Sequence, residues 1–140
     1  MKIFVGLAVA ALLAAASAAA AEVPNLVGTW KPVELASARY GTFNPQHEMP
    51  TDLVLSNDPR GGVAFVIDKQ DGAAFSGRTV GPGGKAGTLV GAIRRDGRNF
   101  AVSTDFGAGT GIIEGDELEF CWFDTNPYFA AVSCYVHKRE

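Results

Sequence analysis

Short alternations of apolar and polar residues fill the chain from Leu26 onward, and Gly or Asp-Gly separates them at intervals of about ten residues. The alternating runs are rich in Val, Ile, Thr, Phe and Tyr. No segment keeps a helical period, so the pattern indicates an all-β sandwich or barrel. It predicts strands at residues 27–36, 51–56, 62–69, 73–80, 87–95, 98–105, 109–114, 117–123 and 129–137.

Two regions depart from this regular alternation. The second and third strands read as one long strand broken at residues 58–62, where Asp58-Pro59-Arg60-Gly61-Gly62 favours a turn. Residues 38–50 show the least regular pattern of all, and we expect them to form a long loop.

Turn chemistry predicts the register of several hairpins. Asp96-Gly97 suits a two-residue type I′ turn, which places Ile93 opposite Phe100. A tight turn at Gly115-Asp116 places Gly109 opposite Trp122. Small residues that face large aromatic rings in this way suit a strongly curved sheet.

The hairpin around Asp71-Gly72 needs an extra residue to keep its apolar side chains on one face. A three-residue loop at 70–72, with Gly72 in the left-handed region, would bring Ile67 opposite Phe75 and Phe65 opposite Gly77. We therefore predict a bulged loop at this hairpin.

The last hairpin, centred on residues 127–128, places Cys121 directly across from Cys134. Opposed residues on antiparallel strands lie within the range that a disulfide spans, so we predict a structural disulfide. The two sulfurs have no histidine at ligand spacing, and we expect neither a metal nor a cofactor.

One face of the last two strands carries aromatic and hydroxyl side chains: Leu118, Phe120, Trp122, Ser133, Tyr135 and His137. If this face points inward, it lines either a pocket for a small molecule or a barrel that the rings fill completely. Phe123, Val132 and Val136 would then lie outside, as an apolar patch that favours a homo-oligomer.

The first 21 residues read as a signal peptide, with Lys2, an apolar segment to about Leu13 and a cleavage site at Ala19-Ala20-Ala21. The alternative is an uncleaved membrane anchor. Cleavage would leave residues 22–140 as one β-barrel domain in the periplasm or outside the cell. We expect no membrane partner after that cleavage.

The formal net charge of −3 and the lack of basic runs argue against a nucleic-acid partner. No nucleophile, base and orienting group fall at a recognisable spacing, so we do not expect an enzyme. Residues 81–88 lack the ending of a phosphate loop and read as a hairpin loop. His47 and His137 are each interpreted as solvated side chains.

Three features together resemble the avidin-like and lipocalin-like barrels, the calycin group, of secreted bacterial type. They are Gly28-Thr29-Trp30, the hairpin over residues 66–77, and Trp122 in the penultimate strand. The resemblance implies an eight-stranded antiparallel up-and-down barrel, closed at one end by Trp30 and lined by Trp122. It does not extend to biotin, because the positions that would anchor it carry Pro32, Ala36 and Thr79.

The function that these features favour is non-enzymatic binding of a small, largely apolar ligand. The candidate ligand-binding residues are Trp122, Phe120, Tyr135, Ser133 and Trp30. The chain is also similar to small periplasmic inhibitors of metalloproteases, in which a short tail precedes the first strand. That similarity implies a protein partner, bound through residues 22–25, as the alternative.

Overall fold

The computed structural model describes residues 21–41, 53–126 and 129–140. These residues form antiparallel strands joined by tight turns. The strands are β1 (Gly28–Gly41), β2 (Leu53–Ser56), β3 (Ala64–Asp71), β4 (Ala74–Val80), β5 (Ala86–Ile93), β6 (Asn99–Thr104), β7 (Gly107–Glu114), β8 (Glu117–Asn126) and β9 (Phe129–Arg139). Residues 1–20, which form nearly all of the predicted signal peptide, lie outside the described residues.

The sheet closes on itself. From β3 to β9 each strand pairs with the next, and β9 returns to pair with β1 from Trp30 opposite Arg139 to Gly41 opposite Phe129. Closure pairs the backbone N–H and C=O groups of the first and last strands. An open sheet would leave these groups unpaired at its edges. The predicted all-β, eight-stranded antiparallel barrel is confirmed, and it is consistent with a calycin-like fold.

Strands β2 and β3 are short and lie end to end beside β1. They occupy the place of one barrel strand, so nine strands form an eight-stranded barrel. The edge of β1 that faces away from β9 pairs first with β3, at residues 28–30, and then with β2, at residues 37–40. The turn at Pro59–Gly61 lies between these two strands. The predicted long strand with a break at residues 58–62 is therefore confirmed.

Strand β1 is longer than predicted, so the expected loop at residues 38–50 is wrong over its first four positions. Residues 38–41 continue the strand because β9 and β2 flank it and accept its backbone hydrogen bonds. A bulge adds Val33 to β1, since Pro32 pairs with His137 and Glu34 pairs with Val136. Residues five positions apart face opposite sides of a regular strand. The extra residue turns both Trp30 and Leu35 inward. The remainder of the expected loop lies outside the described residues.

The predicted loop at residues 70–72 is also wrong in its register. Asp71 pairs with Ala74 across a two-residue turn, and the extra residue sits inside β3 at Asp68. Ile67 consequently lies opposite Gly77. The predicted positive φ of Gly72 is confirmed at 54°. A bulge at Asp68 keeps the apolar side chains inside as well as a bulge in the loop would, and for that reason the apolar pattern alone selects neither.

The other predicted registers are confirmed. Ile93 lies opposite Phe100, Gly109 opposite Trp122, and Cys121 opposite Cys134. The inward face forms one hydrophobic core, made of Leu26, Trp30, Leu35, Phe65, Ile67, Phe75, Leu89, Ile93, Phe100, Val102, Ile113, Leu118, Phe120 and Tyr135.

One end of the barrel is closed by Trp30 and the segment that precedes β1. The Trp30 indole is fully buried, and its Nε1 donates a hydrogen bond to the carbonyl oxygen of Leu26 at 2.8 Å. The guanidinium of Arg139 lies over the indole, 4.4 Å from the ring centroid. Leu26 is itself buried, and its N–H donates to Gln70 Oε1 at 2.7 Å. An open interior can therefore exist only toward the other end.

Candidate ligand cavity

A cavity of about 490 Å³ lies at the end of the barrel opposite Trp30. Its volume falls within the range of about 300–1,000 Å³ that small-molecule sites occupy. The described residues that line it come from seven strands and two turns: Leu35, Ser37, Arg39, Val54, Ser56, Gly61, Val63, Phe65, Thr79, Thr104, Phe106, Phe120, Trp122, Ala131, Ser133 and Tyr135. The core rings therefore fill the closed half of the barrel and leave the open half hollow.

Four of the predicted binding residues come together in this cavity. Phe120 on β8 lies opposite Tyr135 on β9, and one step nearer the opening Trp122 lies opposite Ser133. The Phe120 and Tyr135 rings are stacked, with centroids 5.9 Å apart and planes 17° from parallel. These side chains form one continuous wall, aromatic at its base and polar at Ser133.

Glycines on β7 make room for the aromatic wall. A Cβ atom at Gly109 would overlap the Phe120 ring, and one at Gly107 would lie 2.9 Å from the Trp122 indole. The rings of β8 can lie over the bare backbone of β7 only because these positions lack side chains.

Trp30 and the disulfide lie apart from the cavity. Trp30 is buried at the closed end and is not a lining residue. The predicted disulfide between Cys121 and Cys134 is confirmed, and it joins β8 to β9 from outward-facing positions. Because it cross-links the two strands that carry the aromatic wall, it supports the site without contacting its interior.

The part of the wall that continues from β9 onto β1 and β2 was not predicted. Leu35, Ser37 and Arg39 line the cavity from β1, and Val54 and Ser56 line it from β2. Sequence reasoning ended the first strand at Ala36 and so missed the alternation Leu35, Ser37, Arg39 that continues it. This alternation of inward residues was the available signal.

The polar groups of the cavity are hydroxyls and one guanidinium. Burial raises the pKa of Tyr135, so its hydroxyl is neutral at neutral pH and can donate a hydrogen bond. At the opening, Thr104 Oγ1 donates to the carbonyl oxygen of Gly107 at 3.2 Å. None of the described lining residues carries a carboxylate, an imidazole or a thiol. The lining can thus hold a molecule by packing and hydrogen bonds.

The prediction that His137 is a solvated side chain is wrong, because the structure buries it completely. Its ring stacks on Phe65 with centroids 4.7 Å apart, beneath the cavity floor. Nε2 lies 2.7 Å from the carbonyl oxygen of Val63, whereas Nδ1 has no hydrogen-bond partner in the part of the chain that the structure describes. Burial lowers the pKa of His137 to about 4, so the ring is neutral and donates from Nε2. His47 lies outside the described residues.

The outer surface carries the apolar residues that the alternation predicted there. Phe123 is 45% exposed and Val132 is 40% exposed, while Val136 is partly buried between Glu34 and Glu119. Over the described ranges, no group of three or more His, Cys, Asp or Glu residues could hold a metal ion. The same residues include no helix long and apolar enough to cross a membrane.

The residues of the expected inhibitory tail lie against the closed end. The carbonyl oxygen of Pro24 accepts a hydrogen bond from Gln70 Nε2 at 2.9 Å, and that of Asn25 accepts one from Arg139 Nη2 at 2.6 Å. These contacts give the tail a role in sealing the barrel. The inhibitor alternative stays a prediction.

Comparisons of the chain with protein-family models, with curated proteins and with solved structures found no match. The function must therefore be inferred from the geometry of the cavity.

Proposed function

We propose that this protein is an exported, non-enzymatic binding protein that holds a small, largely apolar molecule in the open half of its barrel. Phe120, Trp122 and Tyr135 would stack on the ligand, and Ser133 would anchor a polar group. The observation that carries the proposal is the hollow of about 490 Å³ against these four side chains. Burial of a ligand's apolar surface there would supply most of the binding free energy.

Our proposal includes a relationship between this barrel and a known group of secreted barrels. Gly28-Thr29-Trp30 opens the first strand and the Trp30 indole closes the barrel, which supports kinship with avidin-like or lipocalin-like barrels of secreted bacterial type. The apolar start of the chain and the disulfide support export to the periplasm or beyond the cell. Mass spectrometry of the exported protein tests the signal peptide, since cleavage after Ala21 would leave Glu22 as the first residue.

Binding can be tested through the tryptophan fluorescence. The chain has two tryptophans, of which Trp122 lines the cavity and Trp30 does not. Titration of N-phenylnaphthylamine, a neutral lipophilic probe, should quench Trp122 with a stoichiometry of one. The Trp122→Ala variant should lose this quenching because Trp30 lies at the other end of the barrel.

A pair of filling variants separates the cavity from the rest of the surface. Ser133→Phe places a ring inside the hollow and should abolish probe binding in calorimetry. Ser103→Phe adds the same ring to an exposed position on β6 and should leave binding unchanged. If a broad panel of lipophilic probes neither quenches the wild-type protein nor releases heat, the proposed function is wrong.

A further inference from the structure

Polarity rises on the β1 side of the cavity from its floor to its opening. On β1 the inward side chains run from Leu35 through Ser37 to Arg39, and on β9 they run from Tyr135 through Ser133 to Ala131. The floor is made of Phe65 and Phe120, whose ring centroids are 5.0 Å apart. A molecule that matches this gradient has an apolar body and one polar end directed toward the opening.

Arg39 is the one charged side chain among the described lining residues. Its neighbours across the two ladders are uncharged, with Val54 on β2 and Ala131 on β9. The arginine is exposed at the opening, so a partner would meet its guanidinium without losing all of its own hydration. A planar guanidinium matches the two oxygens of a carboxylate better than it matches a single hydroxyl.

Two acidic residues that the structure describes near this end, Asp105 and Asp124, each have an interaction of their own. The Asp105 carboxylate accepts a hydrogen bond from the Thr88 N–H at 2.7 Å, and this bond lowers the pKa of Asp105. Asp124 lies two strands from Arg39, since both residues pair with Ala131, and Asp124 has an interaction of its own. Neither carboxylate is a lining residue of the cavity, so Arg39 is the charge that a ligand would meet among the described lining residues.

We propose that the ligand is an amphiphilic carboxylate, whose apolar body lies on the wall of Phe120 and Trp122 and whose carboxylate binds Arg39 at the opening. This inference rests on the proposed function and adds the chemical class of the ligand. A charge-assisted, bidentate hydrogen bond is roughly twice as strong as a neutral one, which favours the acid over a neutral analogue of the same length.

The test compares dodecanoate with dodecanol at pH 8, two probes that share a chain and differ in charge. Wild-type protein should bind dodecanoate about tenfold more tightly, and the preference should shrink as salt is added. Arg39→Gln should remove the preference while dodecanol affinity stays unchanged, and Arg39→Lys should restore part of it. Arg94→Gln makes the same change of charge at the closed end and should alter neither affinity.

The other possible results contradict either the carboxylate assignment or the proposed function. Equal affinity of the wild-type protein for the two probes, or a preference for dodecanoate that survives in Arg39→Gln, overturns the carboxylate assignment and leaves the proposed function standing. If Arg94→Gln lowers dodecanoate affinity as much as Arg39→Gln does, the effect comes from net charge and the assignment also fails. Failure of the wild-type protein to bind either probe contradicts the proposed function itself.

Discussion

At the residue scale, His137 carries the clearest pH dependence in the barrel. The neutral ring donates from Nε2 to Val63, and Nδ1 is buried without a partner among the described residues, so a second proton finds no acceptor in that part of the chain. The rings around it belong to Phe65, Phe120 and Tyr135, and the Tyr135 hydroxyl is the one titratable group among those ring contacts. Protonation of His137 in the folded state is therefore disfavoured, consistent with its pKa of about 4.

The resulting prediction concerns stability between pH 7 and pH 4. The folded pKa lies below the usual value of 6.5, so the unfolded chain binds the proton first as the pH falls. The stabilisation is complete above about pH 6.5 and is lost as the pH falls toward 4, with a total near 3 kcal/mol. Urea unfolding at several pH values should show this loss for the wild-type protein.

His137→Phe is the variant that isolates the effect, because it keeps a stacked ring and removes the titration. The difference in unfolding free energy between wild type and variant cancels the carboxylates that both share. Among these, Asp96 titrates lower, because hydrogen bonds from the backbone of Asn99 and Arg98 lower its pKa to about 2. A difference that does not change between pH 6.5 and pH 4 would contradict the burial of His137.

At the element scale, the bare backbone of β7 shapes the cavity wall. Gly109→Ala should destabilise the protein by about 1–3 kcal/mol, because the new methyl group overlaps the Phe120 ring and meets the carbonyl oxygen of Cys121. Restriction of the unfolded chain alone would change stability by up to about 1 kcal/mol in the opposite direction. A net loss measured by urea unfolding thus reports the overlap. The neighbouring Thr110→Ala, at an exposed position, should change stability by less than about 0.5 kcal/mol.

Elements with local signals were predictable from the sequence, and elements that depend on distant pairing were not. Asp96-Gly97 determines its own hairpin, so the pairing of Ile93 with Phe100 followed from turn chemistry. The last residues of β1, 38–41, have no turn residues to specify their pairing, since their backbone partners lie on β2 and β9. The bulge at Asp68 was missed because a bulge in the loop preserves the same apolar face.

The same distinction explains how much of the site was foreseen. The wall formed by β8 and β9 was predicted because one hairpin and its register specify it. The wall formed by β1 and β2 was not, since a bulge at Val33 reverses which side chains of β1 face inward. His137 was misjudged because a single polar residue near a strand end carries no sign of the aromatic rings that other strands bring to it.

At the scale of the whole molecule, an uncharged outer face runs across five neighbouring strands near the open end. Ladder pairs connect one row across it, made of Leu55, Ala38, Val132, Phe123 and Ala108. Leu55 is 70% exposed, so the described residues leave this face largely uncovered. The row spans about 19 Å at the usual strand spacing, which is comparable to the width of the largest apolar patches on monomers, and such patches often mark interaction sites.

We predict that this outer face binds a second copy of the chain. A two-fold contact would place the same uncharged row on both partners and would bring no like charges together within it. Because the face lies on the outside of the sheet, the contact would cover apolar surface while both cavity openings stay accessible. Sedimentation velocity should therefore show a dimer whose population rises with protein concentration, and Phe123→Ser with Val132→Ser should convert it to a monomer.

Val90→Ser, which removes an exposed apolar side chain from β5, should leave the dimer intact. A wild-type protein that remains monomeric at high concentration would show that this face has no self-association role.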